Sequence, residues 1–250
     1  MMKKKNLFIA IISLLMLVSA CNQQNSLPTG ESSLEVVDLQ ISPALDHWLP
    51  QIADCADGIP AFGVYTRVLP VSESETETPD LLIRLGPRRD EDVHVAVLGM
   101  ETITIVTGSE VPISSLSITS LQNIFSGEVT NWGQVPEISE GELNLDQPIQ
   151  TLSYPDDHPL RLLFREVYLG ENDISSQPIV FSTIDRMSQI LEDEPYAIAY
   201  LLESQTPANA KSLEITGFDP QAAQRLVLAV TQQEPQGNLR QLLLCLQDSP

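Results

Sequence analysis

Cations and aromatic rings are scarce in this chain. Lys and Arg number 13 against 34 Asp and Glu, and Phe, Trp and Tyr make up 5% of 250 residues. A formal net charge of −21 repels phosphate backbones and anionic lipid headgroups, so nucleic acid is not expected as a partner. Three histidines and three cysteines occur with no CxxC and no His/Cys cluster, so no metal site is expected. Rossmann, P-loop and HExxH patterns are absent, as are GxSxG, SxxK and any activated-cysteine context. Hydrolysis needs a nucleophile beside a base and an orienting acid, and the abundant carboxylates single out no glycosidase pair. Neither an enzyme nor a cofactor is called for.

The longest largely apolar run lies at the start. Lys3, Lys4 and Lys5 precede an apolar stretch from Leu7 to Val18, followed by Ser19-Ala20-Cys21. A basic start, a short apolar stretch and small residues describe a secretory leader over residues 1–20, too short for a stable membrane span. Val18-Ser19-Ala20-Cys21 resembles the bacterial lipobox. That implies an exported chain anchored to the cell membrane through a lipidated Cys21. The alternative is an ordinary leader with an incidental cysteine. Acyl chains at about 0.8 kcal/mol per buried CH₂ would tether the protein without a spanning helix. Residues 21–33 are polar, with Pro28 and Gly30, and read as a flexible tether. Losing the three leader lysines takes the net charge from −21 to −24. In an exported compartment the remaining Cys55 and Cys245 suggest a bridge tying the first helix to the last; two buried free thiols are the alternative.

Beyond the tether, strand-like and helix-like stretches alternate, which argues α/β. Leu34–Ile41 reads as a strand, and Ser42-Pro43 opens a helix through Leu45, Trp48 and Ile52, with Pro50 placed to kink it. Ala61–Leu69 is a second strand. Pro70–Pro79 is an acidic low-complexity loop. Val93–Thr107 is a long apolar β run broken at Gly99. Ile149–Leu152 is a strand, Pro159–Tyr168 and Arg186–Glu192 are helices, and Arg225–Thr231 and Pro235–Leu246 close the chain as strand and helix.

The most specific wording runs from Ser120 to Val135, SLQNIFSGEVTNWGQV. Leu121, Ile124 and Phe125 fall on one helical face, Thr119 or Ser120 is the expected N-cap, and Gly127 stands where a glycine closes a helix. Ile118–Trp132 resembles the second-domain signature of the phosphate-binding-protein-like branch of type 2 periplasmic solute-binding proteins. Pro195–Tyr200 is similar to that family's returning hinge, and Asp80 to the start of one of its ligand strands. The resemblance implies an α/β fold of two lobes joined by two crossover hinge strands near Thr107 and Tyr200. Lobe I would comprise 34–107 with 200–250, and lobe II 108–199. It also implies a solute-binding protein for phosphate or another small oxyanion, closing about its hinge and delivering to an ABC permease.

The site implied by this resemblance lies between the lobes and draws on Ser42, Arg84, His158 and Arg161. Its wording departs from the family at one loop, where a clamp arginine and a following Ser-Gly-Thr are expected. Tyr154 takes the arginine's place, and His158-Pro159-Leu160 replaces Ser-Gly-Thr. Pro159 removes a donor, Leu160 removes a hydroxyl, and Asp156 and Asp157 add negative charge. Each candidate has a structural reading beside it. Arg84 could instead serve an interlobe salt bridge. Arg161 could pair with Asp157 or Glu166. His158 could stand at a solvent-facing helix start capped by Asp157, rather than meet an anion or a metal. The lost loop also supports a degenerate binding domain that acts as sensor, adhesin or scaffold.

Overall fold

The computed structural model describes residues 34–69, 78–138, 147–174 and 177–248. The leader, Cys21, the tether and the acidic loop over 70–77 lie outside the described residues. From Leu34 onward the chain clusters as a single unit.

The first strand, β1 (Glu35–Ile41), buries Val37, Leu39 and Ile41 on one face, as period-two alternation requires. It is flanked in parallel by β2 (Phe62–Val68) and β3 (Leu81–Leu85). Between β1 and β2 the chain makes a 3₁₀ turn, Pro43–Trp48, and then helix α1 (Leu49–Asp57). Pro50 thus sits in the first turn of a new helix, where its missing N–H costs nothing, rather than kinking a continuous one.

The long strand β4 (His94–Thr107) is the spine. Its first part pairs antiparallel with β10 (Gln224–Thr231), and its second part with β8 (Ala197–Leu202) and β9 (Lys211–Thr216). The register slips by one residue between Gly99 and Val97, so the expected break at Gly99 is a bulge in a continuous strand. β5 (Ser115–Ser117) joins β9, while β6 (Gln150–Ser153) lies parallel to both β8 and β7 (Ile179–Val180). The sheet reads β2-β1-β3-β10-β4-β8-β6-β7. Strands β5, β7 and β9 carry too few apolar residues to stand out in the sequence.

The signature segment folds as helix α2 (Ile118–Ser126) with Leu121, Ile124 and Phe125 buried. Its cap is Ser117, one turn-start earlier than Thr119 or Ser120: the Ser117 hydroxyl accepts the Ser120 N–H. Gly127 closes the helix at φ 83°, a conformation only glycine adopts cheaply. Asn131 and Gln134 form a reciprocal capping box around Trp132. The Trp132 ring is fully buried and its indole donates to the Tyr196 carbonyl at 2.7 Å. Gly108 makes the closest backbone approach: a β-carbon there would lie 2.3 Å from the Pro195 carbonyl oxygen.

Helix α3 (Pro159–Phe164) relaxes into a π turn over Arg165–Leu169, so the predicted single helix is two segments. Phe164 stacks on Tyr200 with centroids 3.9 Å apart and meets Phe125 edge-on at 4.7 Å, uniting α2, α3 and β8. Helix α4 (Ile184–Asp193) is amphipathic with Met187, Ile190 and Leu191 inward. Helix α5 (Gly237–Asp248) packs on α1, and Cys55 and Cys245 form a disulfide between them, Cα atoms 5.8 Å apart. Among the described residues no helix is long and apolar enough to cross a membrane.

Candidate functional site

The C-terminal end of β1 and those of β6, β7 and β8, which run the opposite way to β1 through the sheet, meet at one seam. The residues lining it follow those ends: Pro43, Ala44 and Asp46 after β1, Tyr154 and His158 after β6, Ser182 to Ile184 after β7, and Gln205 after β8. This is where open α/β sheets hold ligands. The inner end encloses only about 10 Å³, room for no more than one water molecule. It widens into an open groove of about 450 Å³ that shares Asp46, Thr183, Ile184 and Gln205 and adds His47, Pro50, Asp185 and Ser204.

Two rings fill the inner end. Tyr154 lies stacked on His158 with centroids 4.1 Å apart, and its other contacts are Phe181 and Tyr200. His158 itself, and not Asp157, caps α3: its Nδ1 accepts the Leu160 N–H. Burial disfavours the charged ring and pushes its pKa down to about 4, with Asp157 opposing only weakly. His158 is therefore a neutral cap at neutral pH, unable to clamp an anion by charge. Burial also pushes the Tyr154 phenol well above its ordinary range, and that of Tyr200 to about 12.

Both candidate arginines are engaged internally. Arg161 donates to the Ser153 hydroxyl at 3.1 Å and the Tyr154 carbonyl at 3.0 Å, and pairs with Asp156 at 2.7 Å. Its partner is thus neither Asp157 nor Glu166; the latter meets Arg225. The Ser153 hydroxyl also bonds Tyr200 at 2.8 Å. Arg84 is almost wholly buried and meets Asp92 at 2.5 Å, with the Leu85 and Pro87 carbonyls completing its contacts. Burial lowers its pKa, and Asp92 raises it back only in part. Its Nε finds no acceptor among the described residues. Ser42 is buried, and its N–H donates to Ile83, which ties the ends of β1 and β3. The structure brings Arg161 and His158 together with Tyr154, and leaves Arg84 in a separate ion pair under the loop 86–92.

One cluster escaped the sequence reading. Glu101 is buried in β4 and accepts His47 Nε2 at 3.0 Å and the Ser204 hydroxyl at 2.9 Å; the Trp48 indole donates to it as well. Burial works to raise the Glu101 pKa, but these hydrogen bonds outweigh it and hold the carboxyl below its usual range. Gln205 reaches His47 Nδ1 at 3.1 Å. The residue types are those of a hydrolytic set, but the arrangement is not. Ser204 and His47 Nε2 both address the carboxylate: Ser204 donates its hydrogen bond to Glu101 at 2.9 Å, and its contact with His47 Nε2 is longer, at 3.4 Å. The sequence did carry a signal: Glu101 is the single charge within an apolar strand, and such a charge needs buried partners. Among the described residues no three His, Cys, Asp or Glu side chains are grouped to hold a metal ion.

Fold and seam together define an α/β class with a cleft where strand ends converge. A family model described as the PBP superfamily domain matches residues 76–241, well over half of the chain, and the chain belongs to that superfamily. Solved structures share the type 2 periplasmic-binding fold. An ABC-type phosphate transport receptor from Vibrio cholerae is 15% identical with a TM-score of 0.66, over 85% of this chain and 93% of the other. A putative phosphate ABC transporter substrate-binding protein with bound phosphate from Clostridium perfringens is 14% identical with a TM-score of 0.68, over 84% and 92%. The CcmR regulatory domain from Synechocystis in complex with 2-PG is 12% identical with a TM-score of 0.57, over 85% and 96%.

Proposed function

We propose that this chain is an extracytoplasmic solute-binding protein, anchored to the cell membrane by a lipidated Cys21, that serves an ABC importer. Phosphate or a related oxyanion is the default solute. The carrying observation is the seam itself: in a chain of this superfamily, the C-terminal ends of β1, β6, β7 and β8 meet at one cleft, which on this reading lies between lobe I, 34–107 with 200–250, and lobe II, 108–199. Solute capture requires Tyr154 and His158 to withdraw, because about 10 Å³ admits no oxyanion. Arg161 and the Ser153 hydroxyl are then the nearest donors.

The test is calorimetry and thermal shift on the domain from Ser26, with phosphate, sulfate, phosphonates, amino acids and divalent metals. A solute at 100 times its Kd adds about 2.7 kcal/mol of stability. Tyr154→Ala is expected to tighten oxyanion binding by emptying the inner seam, and Arg161→Ala to abolish it. Labelled fatty acid entering the wild type but not Cys21→Ala checks the anchor.

The second reading is a degenerate binding domain acting as sensor, adhesin or scaffold without a small ligand. It is favoured by the Tyr154–His158 fill and by both arginines being neutralised within the chain. Silence of wild type and Tyr154→Ala across the whole solute set would put this reading first.

A further inference from the structure

The π turn that ends α3 lies outside the seam and touches elements assigned to both lobes. α3 starts at the seam with its cap His158. Ten residues on, about 15 Å along a helix axis, Tyr168 sits in the π turn Arg165–Leu169. Its ring is buried, and its hydroxyl donates to the Ile103 carbonyl of β4 at 2.8 Å. The ring also stacks on Phe218, from the link between β9 and β10, with centroids 4.6 Å apart. Glu166 of the same turn meets Arg225 of β10 at 3.4 Å. From α2 the Gln122 amide donates to the Tyr168 carbonyl at 2.9 Å. On the two-lobe division, Gln122, Glu166 and Tyr168 belong to lobe II, whereas Ile103, Phe218 and Arg225 belong to lobe I.

Tyr168 grips β4 where that strand is least supported. β10 pairs with β4 as far as Thr102, β8 takes over at Ile103, and β9 joins from Ile105. Ile105 pairs with both β8 and β9, which therefore lie on opposite edges of β4. Opposite β8, no strand among the described residues pairs with Ile103 or Thr104. Beyond Leu213, β9 turns to pair with β5. What remains is a wedge of about 160 Å³, lined by Ile103, Ile105, Leu213, Phe218 and Tyr168 among others, that shares no residue with the seam. A strand without a neighbour on one edge has fewer bonds to break when it bends. Both crossover strands run side by side here, Ile103 against Leu202 and Ile105 against Tyr200.

We infer that the π turn is a strut: through Tyr168 and Phe218 it braces the two crossover strands from outside the cleft, and so sets how freely the lobes move about them. Gln122 fixes the turn to α2, which gives the strut its footing in lobe II. Burial pushes the Tyr168 phenol up to about 12, so the hydroxyl keeps its proton and remains a donor at neutral pH. Bending β4 away from the turn would part a buried donor from a buried carbonyl, a loss the open wedge does not make good with another protein group. The Glu166–Arg225 pair adds little, because the Glu166 side chain is 69% exposed and screened by water.

The strut deepens the proposed hinge closure and rests on that two-lobe reading for its purpose; its contacts stand without any solute. It is tested on the full mature chain with no solute added, by hydrogen–deuterium exchange. Tyr168→Phe removes the hydroxyl and keeps a ring against Phe218. It is expected to speed exchange of the amides at 103–107 and 197–202 by about tenfold, as one lost buried hydrogen bond predicts. Phe218→Leu removes the stack instead and is expected to speed the same strands by about threefold. α2 and α5, one in each lobe, keep the wild-type rate in both variants. Unchanged exchange in the crossover strands overturns the strut, and so does acceleration confined to 165–169 and 218–222. Equal acceleration in α2 and α5 also overturns it, because that would mean a general loss of stability. A silent solute screen would sink the transport reading and leave this result standing.

Discussion

The stretch Ile118–Val135 and the stretch Ser153–Arg161 share a core, yet their side chains are put to different use. In the first, each special residue serves local structure. Ser117 caps, Gly127 turns, Asn131 and Gln134 box the next turn, and Trp132 anchors to Tyr196. In the second, the positions that in the resembling family would face a ligand face inward instead. Tyr154 stacks on His158, Arg161 serves Ser153 and the Tyr154 carbonyl, and Pro159 starts a short helix. The contrast teaches that a frame and the site it carries answer to different physics. The frame is fixed by burial and backbone satisfaction, which tolerate little. A ligand loop can be rebuilt as core once aromatic contacts replace the hydrogen bonds that a solute would have made.

The largest effect is expected in the frame. Trp132→Ala removes a fully buried indole and strands the Tyr196 carbonyl, so it should cost about 4 kcal/mol of stability by denaturant titration. Tyr154→Ala, in the rebuilt loop, should cost less because the seam beside it can admit water. If the two losses are equal, the loop is as much part of the frame as the signature, and the comparison fails.

What could be read in advance follows the same division. Helix α2 and its surroundings were legible because apolar spacing, a closing glycine and a tryptophan agree with one another over a short window. The misplacement of the cap by a few residues arose because Ser117, Thr119 and Ser120 offer the same hydroxyl, and only the backbone chooses among them. The site was legible only as a departure. The loss of the expected arginine is plain in the residues, but that a tyrosine would stack on His158, and that Asp92 would take Arg84, depends on chain reversals no local pattern encodes. The Glu101 cluster joins residues up to 158 positions apart. Only the lone charge in an apolar strand pointed to it.

A smaller effect, confined to one pH window, separates the two stretches by charge. The folded pKa of His158 is about 4, below its ordinary 6.5, so the unfolded chain takes up the proton first as pH falls. The His158 contribution is therefore complete above pH 6.5, declines as pH drops toward 4, and changes no further below that. Its full extent is about 3 kcal/mol. His158→Asn keeps a capping side chain and removes the titration. Stability measured from pH 7 to 4 should fall less steeply in the variant than in the wild type. Parallel curves would mean that His158 is as accessible to protons in the folded loop as in the unfolded chain.

The smallest effect concerns Asp156, and it asks what holds the rebuilt loop. The Asp156 side chain is 90% exposed while its partner Arg161 is 14% exposed, so water screens the pair from one side. Such pairs contribute about 1 kcal/mol or less. Asp156→Asn should therefore change stability by under about 1 kcal/mol, with little dependence on salt, because Arg161 keeps its bonds to Ser153 and the Tyr154 carbonyl. Arg161→Ala removes those bonds as well and should cost more than the loss of the ion pair alone. A large, salt-sensitive loss in Asp156→Asn would reverse the reading. The loop would then be held by charge rather than by ring stacking and buried hydrogen bonds, and Asp156 would be acting as the anion that the Arg161 guanidinium is built to receive.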